Sequence, residues 1–568
     1  MSGVQVVPIP ACPKGQLCAS ERFWYKLPAA PNADVCSRCY HDHLSQTPFA
    51  GSFKLDYDDS MTGRSCDFST PHVLAVLRQA LEQGDLAPLR DYIVRRSGIK
   101  PCKGGGIGAK AEEGYTWRQL RDPSMAGKFA ACAACYEDYV VPAGFSPHFE
   151  DAPVAQPPDS LWSCDIGFPF MVRLTEQCRD WKQALAWGLH RLQLPVCGGM
   201  SEVDGASRAW YQLRDPNLNL LWVCEACFLD IASMTFADGQ FYRVQHALPQ
   251  GTNITCFAGG HVPLRIALNV AMERRDFNIF LRAASAIVRS PPCRPGGFQS
   301  TWYSLVPPAE EVDVCATCYA GLFEATGFGG VLAPKPVPAA EPRACNMHVS
   351  TPGSAALLKR LDAAIDRREP AVFVDFARRF SEVPGCPGAA VVTGRRWYRH
   401  DMFSCCPACW LEAPIEGTAL AGAAFPVRDA LEPGHLRCDF YSARVRGLWR
   451  SACAQDDLPG FVAFMARRLE VWKQTYPAIQ RALAQMRLNA ERQATLLMSS
   501  TILHGANNIS ALAGAHGNYG GAGVGWGYET VAGAQGAADW NQAMGMYSAS
   551  AGPAAVIAQM TGLWESVE

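Results

Sequence analysis

The chain of 568 residues is 49% hydrophobic and carries 24 cysteines, and its 51 Lys+Arg against 53 Asp+Glu leave a formal net charge of −2. That much apolar content builds cores for three or four domains of about 150 residues each, which excludes a disordered chain. The near-neutral balance excludes a uniformly basic nucleic-acid coat, although arginine far outnumbers lysine and local basic faces stay open to it.

The segment Met1 to Pro10 has no basic stretch followed by an apolar core, so it does not read as a secretory signal. No stretch reaches the roughly 18 uninterrupted apolar residues of a membrane span. The expectation is a soluble intracellular protein, nuclear or cytoplasmic. Thiols stay reduced in those compartments, so abundant cysteine points to metal and away from a disulfide framework.

Self-similarity organises the rest of the chain. Repeat 1 (1–98) has a lone Cys12, the pair Trp24-Tyr25, the motif Cys36-Ser-Arg-Cys39-Tyr40 and a second lone Cys66. Repeat 2 (99–194) has Cys102, Tyr115-Thr-Trp117, Cys132-Ala-Ala-Cys135-Tyr136 and Cys164. Repeat 3 (195–290) has Cys197, Trp210-Tyr211, Cys224-Glu-Ala-Cys227-Phe228 and Cys256. Repeat 4 (291–382) has Cys293, Trp302-Tyr303, Cys315-Ala-Thr-Cys318-Tyr319 and Cys345. Repeat 5 (383–474) has Cys386, Trp397-Tyr398, Cys406-Pro-Ala-Cys409-Trp410 and Cys438. The unit is about 92 residues long, and Cys18, Cys178, Cys405 and Cys453 fall outside its pattern.

Cys-x-x-Cys places two sulfurs on one tight turn, and two distant cysteines complete the tetrahedral thiolate shell that Zn²⁺ prefers. A shell of four protein ligands leaves no position for water or substrate, so such a site contributes folding energy and no chemistry. The expectation is about five structural Zn²⁺ ions. The competing readings are buried apolar cysteines kept by repeat duplication, disulfides, and redox-active pairs, which need a βαβ context that is missing. Whether ligands group within one repeat or between neighbours stays open. Cys12 is preferred to Cys18 because Cys12-Pro-Lys-Gly15 parallels Cys102-Lys-Gly-Gly105, and Cys406 to Cys405 because only it makes Cys-x-x-Cys with Cys409.

The fold class is α+β: each repeat is a small zinc module with a short β segment, then an irregular stretch, then a helical hairpin entered at the fourth cysteine. Apolar residues at helical spacing, such as Leu264, Leu268 and Met272, precede a turn with an acidic residue suited to cap the next helix. Such turns occur at Gly84-Asp85, Arg179-Asp180, Arg275-Asp276, Arg368-Glu369 and Asp456-Asp457. The aromatic residues read as core beside the metal. His41 and His43 read as exposed loop residues, and the helix-end arginines (Arg95-Arg96, Arg274-Arg275, Arg378-Arg379, Arg467-Arg468) as solvated faces. No serine-hydrolase elbow, His-Glu-x-x-His or Walker loop is present, which points to a protein that is not an enzyme.

Beyond the repeats, Thr475-Tyr-Pro477 predicts the start of a C-terminal helix over 475–503, since proline suits a first helical turn. Ile479, Leu483, Met486, Ala490, Gln493 and Leu497 recur at coiled-coil spacing, so the 479–497 face suits either a second copy, as a homo-oligomer, or the last repeat. The remainder, 504–568, reads as a Gly/Ala-rich tail, flexible or weakly self-associating, that closes with a short helix from Pro553 and a frayed acidic end. Within this C-terminal region, Ala494-Thr-Leu-Leu-Met498, Gly525-Trp-Gly-Tyr528, Ala532-Gly-Ala-Gln-Gly536 and Trp564-Glu-Ser-Val-Glu568 resemble the tail of a family of uncharacterised filamentous-fungal proteins. That resemblance covers about the last 75 residues and implies no activity or residue role.

The functional expectation is a non-enzymatic zinc-binding scaffold whose repeated surface binds protein partners, with no membrane span. The alternative is a regulator that binds nucleic acid or chromatin through the arginine helix ends and the Trp/Tyr pairs.

Overall fold

The computed structural model describes residues 12–15, 18, 23–57, 64–125, 127–152, 155–199, 201–245, 248–308, 312–338, 341–413, 415, 418, 420–512, 518–519, 528–529 and 531–568. The Met1 to Pro10 segment lies outside them, as does the Gly520–Tyr528 run apart from Tyr528. The chain forms two compact units, 1–382 with four repeats and 383–568 with the fifth repeat and the C-terminal helices.

A tryptophan strand organises every repeat. Phe23–Lys26, Trp117–Leu120, Trp210–Leu213, Trp302–Leu305 and Arg395–Arg399 are each the central strand of a three-stranded antiparallel sheet. Trp24, Trp117, Trp210 and Trp302 lie directly opposite Cys36, Cys132, Cys224 and Cys315, and in repeat 5 Tyr398 lies opposite Cys405. Strand alternation then buries every tryptophan and leaves the next residue on the other face. The stretch read as irregular contains the third strand of each sheet: Lys54–Tyr57, Phe149–Asp151, Phe241–Arg243, Leu332–Lys335 and Val427–Glu432.

The residue after each tryptophan stacks on the aromatic residue that follows the Cys-x-x-Cys motif. Tyr25 lies on Tyr40 at 3.7 Å between ring centroids, and Tyr211–Phe228, Tyr303–Tyr319 and Tyr398–Trp410 are each at 3.9 Å. Repeat 2 departs from this stacking, because there this position is Arg118, whose guanidinium sits 4.9 Å from the Tyr136 ring. Tyr115 instead fixes the backbone ahead of a ligand. Its hydroxyl donates to the Pro101 carbonyl, as Arg208 and Arg395 donate to Val196 and Gly385. Each of those carbonyls immediately precedes the repeat's first cysteine.

The five hairpins are Pro71–Gln83 with Ala87–Ser97, Pro169–Gln177 with Trp181–Gln193, Val262–Arg274 with Phe277–Arg289, Ser354–Arg367 with Pro370–Ser381, and Ala443–Gln455 with the helix that begins at Leu458. Four of the turns use a left-handed residue: Gly84, Arg275, Arg368 and Asp456, with φ of 66°, 54°, 56° and 53°. Asp180 and Asp276 cap the second helices through their side chains, and Asp85 and Asp457 accept from Ala87 and Gly460 at the same point. Glu369 makes no such bond to its helix.

Within 1–382, the hairpins of repeats 1, 2 and 3 each pack on the turn after the next repeat's motif. Arg96 holds Asp138 through two nitrogens at 2.8 and 2.7 Å, Tyr92 donates to the same carboxylate, and Arg95 pairs with Glu137. Arg191 repeats the arrangement with Asp230, and Arg274 donates to the Thr326 carbonyl. Gly321 lies so close to Pro263 that a Cβ would be 2.6 Å from its carbonyl oxygen. Several arginines expected to be solvated, Arg96 and Arg274 among them, therefore make packing contacts, and Arg468 is fully buried.

In 383–568 the structure corrects two expectations. One helix runs from Leu458 to Leu512 through Pro477, so no new helix starts at 475. Helices Val531–Ala549 and Ala551–Glu565 pack along it, and their contacts offset the roughly 3 kcal/mol that an interior proline costs. The tail is thus helical over those residues. Its small side chains allow close approach: a Cβ at Gly533 would lie 2.5 Å from Asn507 Oδ1, and Gly536 sits against Leu503. Gln493 of the expected seam donates to the Ala543 carbonyl, and Ser499 to Asp539. The acidic end is docked as well, with Trp564 against the Arg437 and Arg468 guanidinia and Glu568 paired with Arg468.

Candidate metal centres

Five groups of four cysteines form, one per repeat: Cys12, Cys36, Cys39 and Cys66; Cys102, Cys132, Cys135 and Cys164; Cys197, Cys224, Cys227 and Cys256; Cys293, Cys315, Cys318 and Cys345; Cys386, Cys406, Cys409 and Cys438. The sulfurs of each group lie within 4.8 Å of one another. Around a Zn²⁺ with Zn–S bonds of about 2.3 Å, tetrahedral sulfurs would be about 3.8 Å apart, so the groups are of a size to hold an ion. The grouping is within repeats, never between them.

Local backbone structure puts each sulfur in place. The first motif cysteine ends a strand, or in repeat 5 directly follows one, and opens a helical turn, so in three repeats its sulfur accepts the N–H of the second, as from Cys39 to Cys36 at 3.4 Å. Its own N–H donates to the fourth cysteine, from Cys36 to Cys66, Cys132 to Cys164, Cys224 to Cys256, Cys315 to Cys345 and Cys406 to Cys438, at 3.3–3.5 Å. The lone first cysteine takes an N–H from two residues on: Lys14, Gly104, Gly199 and Gly388 donate to Cys12, Cys102, Cys197 and Cys386. Such N–H···S bonds favour the thiolate, the form that binds metal.

The sulfurs are electrostatically coupled. Cys12, Cys102, Cys197, Cys345 and Cys386 are each held far below the usual thiol range by hydrogen bonds from the other three cysteines of their group. Cys66 and Cys227 are pushed far above it by the same contacts. Hydrogen bonds between sulfurs thus hold each group together, and a dication at the centre would take the place of those protons. Repeat 5 adds a guanidinium, since Arg446 Nη2 lies 3.2 Å from Cys409 Sγ and 3.0 Å from Glu412.

Two supports went unread in the sequence. The residue after the fourth cysteine braces the sheet: Asp67, Asp165, Asn346 and Asp439 accept the N–H of Asp34, Ala130, Asp313 and Ser404, each two residues before the motif. The signal was a recurrent Cys-Asp or Cys-Asn, absent only from repeat 3, where Phe257 follows Cys256. In repeats 2 and 3 the second support is a glycine three residues past the fourth cysteine. A Cβ on Gly167 would lie 3.0 Å from Cys102 Sγ, and one on Gly259 2.3 Å from Cys197 Sγ.

The cysteines outside the pattern stay outside the groups. Cys18 pairs through its backbone with Arg64, and the Cys178 thiol donates to the Asp180 carbonyl. Cys405 is buried beside the fifth group, where burial pushes its thiol up. His41 is exposed and contacts Asp42. Among the described residues no helix is long and apolar enough to cross a membrane. Comparison with protein-family models, curated proteins and solved structures gives no match to this chain.

Proposed function

We propose that the chain is a non-enzymatic zinc scaffold, in which five closed four-cysteine sites rigidify small modules whose combined surface binds protein partners. The observation that carries this reading is the recurrence, five times, of four mutually close sulfurs supported by backbone N–H groups. Soft thiolate shells select Zn²⁺ over hard cations, and a shell filled by protein leaves no ligand position for catalysis. A small sheet and hairpin bury little surface alone, so the ion supplies folding free energy that the core lacks. Nearest-neighbour packing within 1–382 supports an extended surface of the kind repeat proteins use for binding. The nucleic-acid alternative loses support, because Arg95, Arg96, Arg274 and Arg468 are engaged within the chain. Native mass spectrometry with elemental analysis, on protein purified without added metal or chelator, is expected to count five zinc ions per chain. Metal-free protein with oxidised cysteines would overturn the reading.

A further inference from the structure

In repeats 1 and 2 the second helix of the hairpin carries an arginine eleven residues past the acidic turn residue, Arg96 after Asp85 and Arg191 after Asp180. Each holds the acid three residues past the next repeat's second motif cysteine, Asp138 and Asp230. Arg96 also lies beside Asp67, the residue after its own repeat's fourth cysteine. Arg468 stands at the same place in repeat 5, eleven residues past Asp457, and pairs with Asp439, the residue after Cys438. Its second carboxylate is Glu568. Segment 564–568 is therefore seated where the motif turn of a following repeat sits in repeats 1 and 2.

Charge explains why this place needs an acid. Asp439 serves both Arg437 and Arg468, which are 7% and 0% exposed, so Glu568 brings the second negative charge. Without it a buried guanidinium is left uncompensated. The Trp564 ring fills the space between the two guanidinia, 4.8 and 4.6 Å from its centroid, and Arg444 donates to the Ser566 carbonyl. The helix that leads in, Ala551–Glu565, holds no buried residue, so the hold is concentrated at 564–568.

Repeat 1 presents the matching acid. Asp42 lies three residues past Cys39, the place of Asp138 and Asp230, and is exposed. Its contacts among the described residues are Arg38 and His41 of its own turn. Exposed ion pairs of this kind contribute little and exchange readily.

We propose that segment 564–568 is a displaceable cap on repeat 5, and that the surface beneath it docks the Asp42 turn of a second copy of this chain, repeating between copies the joint of repeats 1 and 2. The contact is heterologous, so copies add head to tail. It rests on the joints and not on which ion the cysteines hold.

Sedimentation velocity of the full chain at rising concentration tests the cap. The parent is expected to stay a single copy. Glu568→Arg, which sets a cation against Arg468, is expected to form species of two or more copies whose share grows with concentration. Glu568→Gln, which removes the charge and keeps the shape, is expected to shift the same way to a smaller extent. Adding Asp42→Arg to either variant is expected to return it to single copies, because the joint then sets cation against cation, whereas association of an unfolded chain would survive that change. Glu568 variants that stay single copies, association that persists with Asp42→Arg, or a parent that associates as readily as the variants overturns the proposal.

Discussion

Gly259 has no room for a methyl group, since a Cβ there would approach Cys197 Sγ to 2.3 Å and the Gly199 Cα to 3.4 Å. Gly259→Ala must therefore displace the first ligand of repeat 3, and native mass spectrometry is expected to show one ion fewer than in the parent. Gly239→Ala, in the same repeat with open space around it, is expected to leave the count unchanged. Asp165 raises a different question at this scale. Burial pushes its carboxyl up to about 6, against the single backbone N–H of Ala130 that favours the charged form. The folded state thus binds this proton more tightly than the unfolded chain, whose aspartates titrate near 3.9. Its charge opposes folding above pH about 6, and that cost fades as pH falls from 6 toward 4. Asp165→Asn keeps the acceptor without the charge, as Asn346 does in repeat 4. The variant is expected to be more stable by about 2 kcal/mol at pH 7.5, with a smaller gain at pH 5.5, in thermal unfolding followed by circular dichroism. An equal gain at both values would refute the burial argument.

At the scale of elements, the joint between hairpin and following turn is the repeated structural event. Arg96 and Asp138 are both nearly buried, with side-chain exposures of 14% and 7%. Removing one partner leaves a buried charge, so Asp138→Ala is expected to cost about 3 kcal/mol, and the double variant with Arg96→Ala clearly less than the sum of the two single changes. Additive losses in denaturant unfolding would show that the pair is not coupled. Hairpins and their acidic caps were legible from apolar spacing and from Asp85, Asp180, Asp276 and Asp457, because helix signals are local. The third strands were not, because segments such as Phe149–Asp151 are too short to show alternation and become strands only by pairing with the tryptophan strand. The contact of Arg118 with Tyr136 was illegible for the same reason, since register and not residue type decides which residue faces the motif aromatic.

Considering the whole molecule, the chain divides at Glu382/Val383 into units that each hold complete cysteine groups. Fragments 1–382 and 383–568 are expected to bind four and one zinc ions when produced separately, by the same mass measurement. A shortfall in either would mean that its sites depend on the other unit. The fifth group has the fullest local support, with Arg446 on Cys409 and the docked end of the chain held by Arg437 and Arg468 in the same unit.

The sequence by itself determined the repeat length, the identity of the twenty cysteines in the groups, the α+β class and the hairpin turns, since ligand spacing, helical periodicity and caps are properties of neighbouring residues. Tertiary structure alone decided that ligands group within repeats, that arginines at helix ends pair across repeats, and that a helix continues through Pro477. It also decided that a Gly/Ala-rich tail packs. Each of those outcomes depends on burial and charge shared between segments far apart in the chain, where propensity is weak and packing decides.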